Sequence, residues 1–172
     1  MHNEPAVILS GNELVALATK AARGAGAPPQ QAAAFGRAAL CHFQAGRAPQ
    51  HLRAALEALP SGPILEIPLA LTRLMESAEG DVAEGVLHAD APPDFIQSYL
   101  EAQSFAITAT ASQDGFVLTC ALSTPAPRVL PVRVTLPGGL AARMTALAAH
   151  LLVPDTAASR AGGAGAGLTD ND

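Results

Sequence analysis

The 172-residue sequence contains no tryptophan, one tyrosine (Tyr99) and one lysine (Lys20). This shortage of aromatic side chains excludes the stacking platforms on which RNA-binding sheets hold bases. The formal net charge of −5 argues in the same direction, because nucleic-acid binding needs a basic surface. We therefore expect no nucleic-acid partner.

Long apolar runs are also absent, because charged residues or prolines interrupt each one before it reaches the length of a membrane span. The first five residues are polar, and the stretch AVILSG after them is too short for the apolar region of a secretory signal. We therefore expect a cytoplasmic protein that has no membrane partner.

The two cysteines, Cys41 and Cys120, stand at a separation that matches no metal-binding pattern, so we expect two buried free thiols. The histidines do not pair at metal-ligand spacing either. They are His2, His42, His51, His88 and His150. We expect no metal and no other cofactor, and assign each histidine a structural role. A Ser–His–Asp triad stays open as an alternative, because its members meet in space rather than in sequence.

The first half of the chain predicts four helices. Ser10 and Glu13 form an S-x-x-E capping box, which starts a helix that the glycines Gly24 and Gly26 end. The three other predicted helices begin at prolines. The first of these starts at Pro28-Pro29 and runs to about Phe43, the second runs from about Pro49 to Leu59, and the third starts at Pro68.

The second half predicts about four strands and two helices. The segments FAITATAS and FVLTCAL alternate apolar and polar residues, and Asp114-Gly115 between them favours a hairpin turn. Further strands are predicted over 82–88 and in RVLPVRVTL, where Pro131 favours a sheet edge. Pro92-Pro93 opens a short helix. The apolar face of a last helix consists of Leu140, Met144, Leu147 and Leu151.

This order of elements predicts an α+β fold, in which N-terminal helices pack with a mostly antiparallel sheet of about four strands and with a C-terminal helix. We expect a single domain over residues 1–154, with a helical part over 9–77 and a sheet-containing part over 80–152. Residues 155–172 form a Gly-rich C-terminal segment, which we expect to be ordered.

That segment contains SRAGGAGAGLTDND, whose glycines follow the pattern G-G-x-G-x-G. The pattern departs from the dinucleotide fingerprint G-x-G-x-x-G, and no G-K-[ST] follows that would make a phosphate-binding P-loop. Glycine nevertheless allows close backbone approach and exposes N–H groups to anions. The segment can therefore seal the fold or a subunit contact, bind a ligand, or remain disordered.

The ligand alternative brings the segment together with the cationic end of the first helix. Lys20 and Arg23 stand three residues apart there, so both lie on one face. The candidate anion-binding residues are Lys20, Arg23, Ser159, Arg160, Gly163, Gly165, Gly167 and Asp170. In this hypothesis Asp170 is a base or a metal ligand.

Two stretches resemble the ends of one family of bacterial proteins: LSGNELVALATKAARGAGAP (Leu9 to Pro28) and VPDTAASRAGGAGAGLTDND (Val153 to Asp172). The family is that of the uncharacterised proteins called domain of unknown function 3726. The resemblance implies a first helix with a KAARGAG-like stretch, then an alanine-rich helix, and an S-R-x-x-G-A-G-A-G-like close with acidic residues. It implies no activity, because none is established for the family.

The first sixty residues also resemble the N-terminal helices of the lactate/malate-type dehydrogenases outside the Rossmann class. That family carries Ser-His-Gly in this region, whereas this chain has Gln50-His51-Leu52 and is too short for the family's cofactor domain.

From the sequence as a whole we expect a small homodimeric binding or assembly protein, whose Gly-rich C-terminus packs near the first helix. The alternative is an enzyme or an anion-binding protein that uses the candidate residues above.

Overall fold

The computed structural model describes residues 5–113, 115–127 and 133–152 of the chain. Helices fill most of the first half, and strands alternate with helices in the second. In chain order the elements are β1 (Val7–Ser10), α1 (Gly11–Gly24), α2 (Pro29–Gln44), α3 (Pro49–Glu57), α4 (Pro63–Glu76), β2 (Val82–Leu87), α5 (Pro93–Glu101), β3 (Phe105–Ser112), β4 (Gly115–Pro125), β5 (Arg133–Leu136) and α6 (Gly138–Ala149). The predicted α+β fold is confirmed.

The strands form two small antiparallel sheets. One sheet pairs β1 with β5, and the other has the order β2-β4-β3. The predicted hairpin is confirmed as β3 and β4, although Asp114 lies outside the described residues. Strand β1 is absent from the sequence prediction. It holds only four residues, and its pairing partner stands far along the chain, with Val7 opposite Leu136.

Helix α2 packs against α1, α3, α4 and α5, and α1 in turn packs between α2 and α6. Both contacts are close because glycine stands at the crossing points. A Cβ on Gly24 would overlap the backbone carbonyl of Leu147, and a Cβ on Gly36 would overlap the side chain of Thr19. The core beside these crossings is built largely from alanine, as the composition predicts.

The capping box at the start of α1 is confirmed. The Ser10 hydroxyl accepts a hydrogen bond from the Glu13 backbone N–H (3.3 Å), and the Ser10 N–H donates to the Glu13 carboxylate (2.7 Å). The bond from the Ser10 N–H to the carboxylate is the main cause that lowers the pKa of the Glu13 carboxyl. The cap also fixes the point where β1 turns into α1, since β1 ends at Ser10.

The prediction that α4 starts at Pro68 is wrong, because the helix begins at Pro63. Gly62 adopts a φ of +82°, which only glycine tolerates readily, and Pro63 then occupies the first helical turn, where a missing N–H costs nothing. Pro68 lies inside the helix. The prediction for Leu151 is also wrong: it lies beyond the end of α6 and is 41% exposed, whereas Leu147 is buried.

The three-stranded sheet has one buried and one exposed face. On the buried face Cys120 and Leu118 are inaccessible to solvent, and α4 packs against β2 where Leu74 approaches Gly85. On the exposed face the register aligns three rows of three residues. These are Val82, Ala121 and Ala106; Glu84, Thr119 and Thr108; and Val86, Val117 and Thr110. We call these nine residues the outer sheet face.

Candidate functional site

Of the candidate anion-binding residues, two lie in the described part of the chain. Lys20 and Arg23 are exposed on α1, and Arg23 stands in its last turn. The other six lie outside the described residues: Ser159, Arg160, Gly163, Gly165, Gly167 and Asp170. The alternative site therefore stays a prediction.

The end of α6 lies beside the C-terminal turn of α1. The His150 ring nitrogen Nδ1 is 3.1 Å from the backbone oxygen of Gly24. The described part of the chain ends two residues beyond this contact, at Leu152, and the Gly-rich segment lies outside the described residues.

A polar network connects the α2–α3 loop to α5, and the sequence analysis did not predict it. His42 Nδ1 lies 2.8 Å from the Ser98 hydroxyl, and His42 Nε2 lies 2.8 Å from the backbone oxygen of Ala48. Arg47 donates one hydrogen bond to the Ser98 hydroxyl (3.1 Å) and two to the Glu101 carboxylate (both 2.6 Å). Four side chains thus connect the end of α2, the α2–α3 loop and α5.

The hydrogen-bond partners constrain the tautomer of His42. The Ala48 carbonyl only accepts, so Nε2 carries a proton and donates it. Burial lowers the pKa of His42, which favours the neutral ring with Nδ1 as an acceptor. The Ser98 hydroxyl also donates to the Asp94 carbonyl (2.7 Å), so its single hydrogen is shared between that carbonyl and His42 Nδ1.

This network does not have the arrangement of a catalytic site. His42 and Ser98 have no exposed surface, so no substrate carbonyl reaches the Ser98 hydroxyl. Both ring nitrogens of His42 are already engaged, which leaves none to activate the neighbouring Cys41. Burial raises the pKa of the Cys41 thiol, so it stays protonated and is a weak nucleophile. The expectation that Cys41 and Cys120 are buried free thiols is confirmed.

A groove lies next to this network, between α2, α5 and β3. Its volume is 450 Å³, within the range of small-molecule and peptide sites. We call it the α2–α5–β3 groove; it is lined by Cys41, Gln44, Ala45, Gln97, Leu100, Glu101, Phe105, Ala106, Ile107, Ala109, Ala126 and Pro127. A second cavity of 300 Å³ continues it past the start of β3, and shares Cys41, Glu101, Ala126 and Pro127 with it.

Two charged side chains of the groove, Glu101 and Arg37, set its electrostatics. Glu101 is paired with Arg47, which holds the pKa of the Glu101 carboxyl below its usual value. Arg37 lines the continuation of the groove, and no ion pair to it occurs in the described part of the chain. Because Arg47 neutralises the Glu101 carboxylate while Arg37 has no ion pair among the described residues, the end of the groove near Arg37 carries a positive charge.

The described residues contain no group of three histidine, cysteine or acidic side chains that could hold a metal ion. Among the helices that the structure describes, none is both long and apolar enough to cross a membrane. Comparison with protein-family models, with curated proteins and with solved structures gives no match for this chain. The two family resemblances of the sequence therefore stay predictions.

Proposed function

We propose that this protein is a non-catalytic binding and assembly module that works as a homodimer, and that the outer sheet face is the dimer contact. The composition of that face carries the proposal. Only Glu84 among its nine residues is charged, and Val82, Val86 and Val117 are 43%, 47% and 47% exposed. Val86 and Val117 pair directly across β2 and β4, and an exposed sheet face with apolar residues and one charge is typical of an interface.

The geometry of the face suits self-association. Two sheets pack face to face at about 10 Å when their inward side chains are apolar or small, and a two-fold axis places the same face on both copies. The central strand β4 contributes Val117 and Thr119, so the middle of the face is uncharged. Glu84 lies on the edge strand β2, where its carboxylate accepts a hydrogen bond from Thr119 (3.4 Å).

The buried polar network supports a binding role over a catalytic one. Its histidine and serine are sealed from solvent, and the thiol beside them is protonated. The groove and the outer sheet face are two surfaces on which apolar side chains stay incompletely covered. A binding protein needs such surfaces, whereas a catalyst also needs an accessible reactive group.

Native mass spectrometry tests the homodimer. We expect the full chain to show twice its 17.4-kDa mass. Val117→Glu places a charge in the middle of the outer sheet face and should give the monomer mass. Leu69→Glu is the matched control, because Leu69 is 43% exposed on α4, away from that face, and this variant should stay dimeric. A wild-type chain that is monomeric at micromolar concentration overturns the proposal.

The second candidate function is the anion site at the end of α1. It is supported by the contact of His150 with Gly24, since this contact holds the last turn of α6 beside the end of α1 that carries Lys20 and Arg23. Inorganic phosphate should then raise the melting temperature of the full chain. The gain should be lost in a Lys20→Gln/Arg23→Gln variant and in a chain truncated after Pro154. An equal gain in the full chain and the truncated chain would rule out a site that uses residues 155–172.

A further inference from the structure

Strand β3, which forms one wall of the α2–α5–β3 groove, has an open edge. β4 pairs with one side of β3, and no strand in the described ranges pairs with its other side. Its sequence FAITATAS contains neither charge nor proline, the residues with which natural edge strands reject a further strand. The opposite edge strand, β2, carries Glu84 and packs against α4. Strand addition is therefore favoured at β3.

We propose that the α2–α5–β3 groove binds an extended peptide segment of a partner protein, which adds to β3 as an antiparallel strand. The free edge supplies main-chain hydrogen bonds, and the groove supplies pockets for alternate side chains. Leu100, Phe105 and Ile107 make its surface apolar, and Gln97, whose amide also donates to Glu101 (3.3 Å), adds a polar group to the lining. The groove lies along the free edge of β3 and shares Ala106 with the outer sheet face, whereas Val117, the position that tests the dimer, does not line it.

The charge at one end of the groove defines the chemistry of the segment. Arg37 lines the continuation of the groove together with Gln103 and Ser104, just before β3 begins. A strand antiparallel to β3 starts near Ser112 and reaches this point with its C-terminal end. We therefore assign to the partner an apolar, extended segment that ends in an acidic side chain or in a chain-terminal carboxylate, which Arg37 pairs with.

A peptide selection on the full chain tests this assignment. The probe is a synthetic library of peptides as long as β3, randomised over apolar residues, threonine, aspartate and glutamate, made once with a free C-terminal carboxylate and once amidated. We expect selected peptides to alternate apolar residues and to carry an acidic C-terminal end. In amide-resolved NMR, the best of them should shift the β3 amides and protect them from hydrogen exchange.

Two variants and a control locate the site. Arg37→Gln should weaken a carboxylate peptide about tenfold and leave its neutral analogue unchanged. Ala45→Arg, at an exposed position on the groove rim, should abolish binding of both. Arg143→Gln removes an exposed arginine on α6 and should change neither.

Three results would overturn the proposal. The first is a selection that enriches no peptide from either library. The second is binding that shifts the amides of Val82, Val86 and Val117 on the outer sheet face and none of the β3 amides. The third is β3 protection that already exists without peptide and rises with protein concentration, because a second copy would then occupy the edge. The homodimer is tested by native mass spectrometry of the wild type and of Val117→Glu, whereas the peptide site is tested by peptide binding. Either proposal can therefore fail without the other.

Discussion

The imidazole of His42 and the hydroxyl of Ser98 lie 2.8 Å apart across the contact of α2 with α5, where neither side chain has exposed surface. The same ring holds the backbone oxygen of Ala48 at 2.8 Å, so one side chain joins two helices and the loop that follows the first. Burial of an imidazole is tolerated here because both ring nitrogens have partners.

Replacement of His42 by alanine should destabilise the fold strongly. His42→Ala leaves the Ala48 carbonyl without its partner, removes one of the hydrogen bonds of the Ser98 hydroxyl and opens a cavity, which together cost about 3 kcal/mol, roughly 6–12 °C in Tm. His150→Ala is the control, since His150 is exposed and makes one hydrogen bond. Thermal unfolding of both variants measures the difference. Equal effects would contradict the role of His42 as the joint between α2 and α5.

The stability of the protein should depend on pH through His42. Burial lowers the pKa of His42 in the folded chain, so below about pH 6.5 the unfolded chain binds a proton that the folded chain excludes. The stabilisation is therefore complete above about pH 6.5 and is lost as the pH falls towards the folded pKa. Urea unfolding of the wild type between pH 7.5 and pH 5 should show this slope.

Two variants assign that slope to its residue. His42→Gln should remove it. Glu101→Gln should retain it, because the pKa of Glu101 is lowered by Arg47 and this carboxylate titrates below the ordinary glutamate value of 4.5. A slope that is the same in the wild type and in His42→Gln would show that another group is responsible.

Sequence reasoning predicted the elements whose signals are local. The capping box of Ser10 and Glu13 and the hairpin around Gly115 each depend on residues that are neighbours in the chain, and both are confirmed. The start of α4 was misplaced because Pro63 and Pro68 both suit a first helical turn. Their difference lies in the positive φ of Gly62, which the sequence permits but does not require.

The network and the groove depend on contacts between distant segments. His42 and Ser98 are 56 residues apart, and each alone has the pattern of an ordinary helical residue. A buried histidine and a buried serine on the apolar faces of two helices are the signal that could have suggested them, since each needs a partner. The groove exists because α2 and α5 pack side by side next to the start of β3. The hydrophobic periodicity of each segment does not predict which helices pack together.

Alanine at the glycine crossings should disrupt helix packing. Gly24→Ala and Gly36→Ala would push α1 away from α6 and from α2, because the added Cβ overlaps the Leu147 carbonyl in one case and Thr19 in the other. We expect each to cost about 2–3 kcal/mol. Gly139→Ala is the matched control: no atom lies within 4 Å of its added Cβ, so it should be neutral or stabilising. Chemical denaturation measures the free energy of unfolding of the three variants. An equal decrease in all three would contradict the close helix crossings at Gly24 and Gly36.

The Tyr99 side chain is fully buried, and its hydroxyl has no hydrogen-bond partner among the residues that the structure describes. Its ring packs edge-on against Phe95, with centroids 5.3 Å apart. Tyr99→Phe keeps this ring contact and removes the unsatisfied hydroxyl, so the free energy of unfolding should stay the same or rise by about 1–2 kcal/mol. Tyr99→Leu loses the ring contact and should be destabilised, which shows that the position itself is sensitive. A loss of more than about 1 kcal/mol in Tyr99→Phe would mean that the hydroxyl makes a bond in solution.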